Sequence, residues 1–94
     1  MPKAVFNDTV IAEYGDTILL EGNHYFPPES VKMQYLRLSD TSTVDSWKGM
    51  TIYYHVVVGE MECHDAAWSY PEPSKAAVSI KNYFAFTGDV EIIP

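Results

Sequence analysis

Cysteine is almost missing from this chain: Cys63 stands alone among 94 residues. An intrachain disulfide is therefore excluded, and so is a zinc knuckle built from several cysteines. Basic residues are also few. Six Lys and Arg stand against thirteen Asp and Glu, leaving a formal net charge of −7. A phosphate backbone or an anionic membrane surface would need clustered Lys and Arg, so neither nucleic acid nor membrane is expected as a partner. No long hydrophobic run exists. The longest apolar stretch, Ile52 to Val58, is broken by His55 and falls far short of a membrane span. The opening Met1-Pro2-Lys3-Ala4-Val5-Phe6-Asn7 has no apolar run of signal-peptide length. A soluble, cytoplasmic protein is expected. Leucine is scarce too, four against nine Val and six Ile, a bias toward pleated, half-buried surface.

What the chain does have is aromatic rings: two Trp, seven Tyr and four Phe. Each ring can bury roughly 150–250 Å², which at about 25 cal/mol per Å² stabilises by about 4–6 kcal/mol before chain entropy is counted. Residues 1–94 can thus form one domain around one core without a covalent or metal staple.

Turn signals divide the chain into short strands. Val5-Phe6 and Thr9 to Ala12 flank Asn7-Asp8 at hairpin spacing, although the turn lacks glycine. Thr17 to Glu21 reads as a third strand that Gly22-Asn23 ends, and Pro27-Pro28 forbids ladder donation after Phe26. Val31 to Leu38 reads as a fourth strand, and Ser39 to Ser46 as a polar loop. Thr51 to Val58 is the clearest strand, with Ile52, Tyr54, Val56 and Val58 on one face and Tyr53, His55 and Val57 on the other. Gly59-Glu60 turns it into Met61 to Cys63, and Ala66 to Tyr70 continues extended. Ser74 can cap a short helix over Lys75 to Asn82, and a final hairpin pairs Tyr83 to Phe86 with Val90 to Ile93. The expected fold is mainly β: a small single-domain antiparallel fold with one short helix.

Three constellations contain residue types that serve catalysis or metal binding. His24, His55, Cys63 and His64 can all ligate a metal, yet no pair has the two-to-four-residue spacing of a structural zinc site. No metal and no cofactor are expected. Cys63, His64 and Asp65 are adjacent, and neighbours on a strand face apart, so no nucleophile–base pair follows from their order. Glu60 and Glu62 share a strand face, but no glycine-rich phosphate loop accompanies them. No catalytic residue is assigned.

The aromatic set is more informative. Trp68 and Tyr70 lie two apart on an extended segment that Pro71 ends. Trp47 sits in a polar loop beside Lys48 and Gly49, and Tyr25-Phe26 follows His24. Large rings in loops next to isolated polar groups suit a small-molecule pocket. They also suit the end of a small core, which a small β domain needs in any case. The pocket reading puts Trp47, Trp68 and Tyr70 in one concavity with His24 and Lys48 near them, and has Lys48 either reach solvent or pair with a carboxylate such as Glu21, because an ammonium is not buried uncompensated.

Four strings occur in order: Glu21-Gly22-Asn23-His24-Tyr25-Phe26-Pro27-Pro28-Glu29, Trp47-Lys48-Gly49, Tyr53-Tyr54, and Asp65-Ala66-Ala67-Trp68 followed by Tyr70-Pro71 and Pro73. From Ala4 to about Ile92 the chain resembles the short bacterial members of the domain of unknown function 427 family. That resemblance implies a tent-like β fold of the methionine sulfoxide reductase B type, here without zinc knuckles. It implies no established activity, although the family carries a nucleotidyltransferase-like label. Asp45-Ser46 stands where relatives show Cys-Pro, and Ser69 where they show an aromatic.

The leading functional expectation is a non-enzymatic module that binds a small-molecule ligand or partner through Glu21, His24, Trp47, Lys48, Tyr53, Trp68 and Tyr70. The alternatives are an enzyme acting on a nucleotide or other small metabolite, and a structural module working through an exposed sheet edge. The expected state is a monomer or weak homodimer.

Overall fold

Two left-handed residues begin the fold. Asn7 and Asp8 sit at φ 50 and 58, the backbone of a two-residue turn whose twist matches the strands it joins. Asn and Asp tolerate positive φ, so the turn forms without glycine. It connects β1 (Lys3–Phe6) to β2 (Thr9–Glu13), with Phe6 opposite Thr9. The structure, a computed structural model, describes residues 1–94. A second turn of this kind, Glu21 and Gly22 at φ 52 and 81, joins β3 (Ile18–Leu20) to β4 (Asn23–Tyr25). The turn signal at Gly22-Asn23 predicts an end to the strand there. Three residues nonetheless pair back before Pro27 removes the next donor.

Pro28–Ser30 and Met33–Tyr35 are single 3₁₀ turns, so the strand expected over Val31 to Leu38 starts only at Leu36. It then runs further than expected. β5 (Leu36–Asp45) takes in most of the polar segment Ser39 to Ser46, which was expected as a loop. β5 is the edge of a four-stranded antiparallel sheet ordered β5-β6-β7-β8. Most of its side chains face water, so a polar strand there desolvates little. β6 (Gly49–Val58) and β7 (Met61–Ser69) form the centre of the sheet, and β8 (Phe84–Phe86) its other edge.

The expected terminal hairpin does not form. β8 pairs with β7, while β9 (Glu91–Ile93) pairs with β1 to give a second sheet ordered β2-β1-β9. All three side chains of β8 are buried, which requires cover on both faces that a lone hairpin cannot supply. The Thr87 N–H instead donates to the Ala66 carbonyl at 2.8 Å and leads the chain away. The helix expected over Lys75 to Asn82 is a 3₁₀ segment, Lys75–Ile80, burying Ala77 and Ile80. Ser74 does not cap it; its hydroxyl donates to the Trp47 carbonyl at 2.5 Å.

The four-stranded sheet carries apolar packing on both faces. Val56, Ala67, Phe84 and Phe86 pack with Phe6, Ile11 and Phe26 in the larger core. Trp68 and Ala85, facing the other way, pack with Tyr25, Tyr70, Ala77 and Ile80 in a smaller one. Glu62 and His64, further along the Trp68 face of β7, are exposed. No helix is long and apolar enough to cross a membrane.

Candidate functional site

Asp45 organises the loop between β5 and β6. Its Oδ1 accepts the backbone N–H of Trp47 and of Lys48, both at 2.8 Å, the local bonding that Asp offers a tight turn. The segment after β7 then clamps this loop from outside. The Ser74 N–H donates to the Lys48 carbonyl at 3.2 Å, in addition to the Ser74 hydroxyl bond to Trp47. Gly49 makes the close approach feasible. It sits at φ +104, and a Cβ there would lie 3.0 Å from the Glu72 carbonyl oxygen. The loop is thus fixed on both sides, yet Trp47 remains 44% exposed.

Lys48 folds back beneath it. Its side chain is only 7% exposed, and Nζ lies 2.5 Å from Glu21 Oε1 and 2.9 Å from Asp45 Oδ2. The ammonium also stands 5.2 Å from the Trp47 ring centroid and 5.9 Å from that of Tyr70, within cation–π reach. The Glu21 carboxylate, with help from Asp45, holds the Lys48 pKa above its ordinary value against the opposing effect of burial. Lys48 in turn pulls the Asp45 carboxyl down to about 2.

The remaining rings continue from this ion cluster. Tyr25 meets Trp68 edge-on at 6.5 Å and Tyr70 at 6.4 Å, and its hydroxyl accepts the Trp68 indole N–H at 3.3 Å. Burial pushes the Tyr25 phenol up to about 12. Tyr53, opposite Trp68 in the β6–β7 register, packs against that indole at 6.5 Å. Its hydroxyl also lies 3.3 Å from the Thr43 hydroxyl at the sheet edge.

Of the residues singled out from sequence, Glu21, Lys48 and Trp47 meet around one ammonium, with Tyr70 beneath it. Trp68 and Tyr53 join them through Tyr25 and Tyr70. His24 is placed differently. It follows the alternation of β4 away from Tyr25, and its Nδ1 lies 2.8 Å from the Thr17 hydroxyl. Two participants are not evident from sequence. Tyr25 stands there only as a neighbour of His24, and Asp45 only as a departure from a family pattern. The Asp45-x-x-Lys48 spacing around a loop tryptophan is the available signal for Asp45. The rings do not wall the concavity that the pocket reading requires. An open depression lies elsewhere, lined by Val10, Glu13, Glu29, Ser30, Val31 and Lys32. Tyr25, Tyr53, Trp68 and Tyr70 pack edge-on or tilted against one another, and Trp47 is linked to them through the Lys48 ammonium.

A family model described as Domain of unknown function (DUF427) matches residues 3–93. The chain belongs to the DUF427 family. No curated protein matches it. In this DUF427 chain the strings that carry the resemblance are also those that build the cluster. Glu21 to Tyr25 supplies the β3–β4 turn and Tyr25, Trp47-Lys48-Gly49 supplies the clamped loop, and Trp68 with Tyr70 supplies the rings between them.

Proposed function

We propose that this DUF427 chain is a non-enzymatic binding module that takes a flat ring, from a small molecule or a partner side chain, on a ledge formed by Trp47, Tyr53 and Trp68. Glu21, Lys48 and Tyr70 set the polarity beneath that ledge. His24, turned toward Thr17, stands outside it. The supporting observation is Trp47 itself, a large apolar ring left 44% exposed on a loop that Asp45 and Ser74 hold rigid. An exposed anchor fixed before binding loses little freedom on binding, which is the physical basis of preorganised recognition. The local charge selects among ligands. Glu21 and Asp45 outweigh Lys48 by one negative charge, so an uncharged or cationic ring is favoured over an anionic one.

The family model's short name, NTP_transf_9, favours a second reading, an enzyme acting on a nucleotide. A triphosphate needs free cations or a run of backbone donors. Here Lys48 is committed to two carboxylates, and each helical segment has six residues or fewer. The binding reading is therefore preferred.

Thermal unfolding and tryptophan fluorescence against uncharged and cationic heteroaromatics, with Mg²⁺-ATP alongside, test this. A ligand at about 100 times its Kd should stabilise the fold by about 2.7 kcal/mol and perturb tryptophan emission. Trp47→Ala should remain folded and lose both effects. A response confined to Mg²⁺-ATP would favour the nucleotide reading. A response unchanged in Trp47→Ala, or none at all, would overturn the ledge as a binding surface.

A further inference from the structure

Beyond the ledge, the register of β6 and β7 contains an irregularity. Tyr54 stands opposite Ala67 and Val56 opposite Cys63, so His64, Asp65 and Ala66 together face His55 alone. Asp65 takes φ 51 within this bulge, which breaks the strand alternation separating His64 from Asp65. Both carboxylate oxygens thereby approach the imidazoles: Asp65 Oδ1 lies 3.6 Å from His55 Nδ1 and Asp65 Oδ2 lies 3.6 Å from His64 Nε2. The two imidazole rings stack with centroids 4.2 Å apart. Glu62, two residues before His64 on the same face, completes the group. One ligand atom from each of His55, Glu62 and His64 lies within 4.8 Å of the other two.

We propose that His55, Glu62 and His64 form a surface site for a divalent transition ion of the zinc type, with Asp65 as the positioning residue for the His55 ring. The donor set is two imidazoles and one carboxylate, which suits Zn²⁺ and its neighbours rather than Ca²⁺ or Mg²⁺. Ligands about 2.0–2.2 Å from an ion stand roughly 3–4 Å from one another, so modest side-chain rotation closes the observed spacing. The side chains have the freedom for it: His64 is 74% exposed and Glu62 39%, while His55 is 10% exposed and held in place. Three protein ligands leave at least one position to water, the open rather than the closed form of such a site.

The hydrogen bonding around His55 carries the assignment. Its Nδ1 accepts the Asp65 backbone N–H at 3.0 Å, so the neutral ring bears its proton on Nε2. Asp65 Oδ1, meanwhile, is buried without a hydrogen-bond partner of its own, although the Ser39 and Thr41 side chains at the same carboxylate hold its pKa below the usual range. An unpaired buried oxygen is costly unless something completes it. Ligation through Nε2 places the ring proton on Nδ1, which must then give up the Asp65 N–H, and a turn of the ring brings the new donor to Asp65 Oδ1, 3.6 Å away. The result is the carboxylate–histidine–metal relay that orients ligating imidazoles. The ion exchanges the backbone contact for a charge-assisted one. Arg37 binds Glu62 through Oε2, which leaves Oε1 for the ion and places a competing positive charge beside it.

Calorimetric titration of the untagged protein with Zn²⁺ is the test, with circular dichroism verifying the fold of each variant. One ion should bind per chain. His64→Ala and Glu62→Gln, both at exposed positions, should each weaken binding about tenfold or more, and Asp65→Asn should weaken it by about 10–100-fold. Cys63→Ala should leave the affinity unchanged, and Arg37→Gln should raise it. Absence of stoichiometric binding at millimolar Zn²⁺ would overturn the site. So would binding that survives both His64→Ala and Glu62→Gln, or binding lost in Cys63→Ala.

Discussion

Replacing Gly49 with alanine separates a steric role from a conformational one. At φ +104, an L side chain is strained whatever the space around it, at a cost of about 1–2 kcal/mol. The added Cβ would also stand 3.0 Å from the Glu72 carbonyl oxygen and 3.4 Å from Pro73 Cα, both backbone atoms that cannot rotate aside. Relief requires the Glu72–Ser74 segment to lift, which weakens the Ser74 N–H bond to Lys48 and the Ser74 hydroxyl bond to Trp47. Each such bond contributes about 1 kcal/mol net, so the full effect is about 3–4 kcal/mol. Gly59 supplies the control. It sits at φ +60, and a Cβ added there would meet nothing within 4 Å, so Gly59→Ala should cost only the strain, about 1–2 kcal/mol. Urea unfolding followed by circular dichroism measures both. The excess of Gly49→Ala over Gly59→Ala should be about 2 kcal/mol, or roughly 8–16 °C in melting temperature for a domain of this size. Equal losses in the two variants would refute the clamping of the Trp47 loop by the Glu72–Ser74 segment.

Asp45 confers an acid limit. Lys48 holds its carboxyl near 2 in the fold, against about 3.9 when unfolded. Its contribution is present above about pH 4 and is lost as pH falls toward 2, so urea midpoints across that window should fall less steeply in Asp45→Asn than in the parent chain. Tyr25 acts at the other end. Burial raises its phenol to about 12, so its contribution is full below pH 10, the unfolded value, and is lost between about 10 and 12. The tyrosinate absorbance of the parent minus that of Tyr25→Phe should show one step centred near pH 12. Cys63 Sγ accepts the Asp89 N–H at 3.3 Å and packs beside the larger core. Cys63→Ala should cost about 1 kcal/mol in urea unfolding and leave the fold intact.

Local signals carry much of the fold, and long-range pairing is the harder part. Asn7-Asp8 and Gly59-Glu60 mark their hairpins in plain residue chemistry, and the Ile52–Val58 alternation names the faces of the central strand. Ser39 to Ser46 reads as a loop because an edge strand with most of its side chains in water shows no hydrophobic period. Tyr83–Phe86 and Val90–Ile93 flank a turn and so read as a hairpin, whereas the buried Phe84–Phe86 pairs with β7 and Glu91–Ile93 with β1. At the candidate site, the cost of burying an ammonium leaves Lys48 either solvent or a carboxylate such as Glu21, and the pairing with Glu21 is observed at 2.5 Å. The edge-on and tilted packing of Tyr25, Tyr53, Trp68 and Tyr70 does not follow, because ring volumes decide it and the sequence carries no measure of their fit. The juxtaposition of His55 with His64 depends on a bulge in register, which no pair spacing along the chain reveals.

The pairing of β1 with β9 sets Lys3 directly opposite Ile93, so the chain returns to where it began. Closing a loop of about 90 residues costs about 4 kcal/mol in chain entropy, far more than any hairpin turn in the molecule. That seam is therefore a late event in folding, made after the four-stranded sheet has brought its flanks together. Its geometry also makes the domain close to a ring. A short bridge could join the first and last strands, and an exposed tight turn such as Gly59-Glu60 could be opened in exchange, with every strand keeping its partners. By the same token, adjacent ends let such a domain sit within a surface turn of another protein as readily as at one end of it.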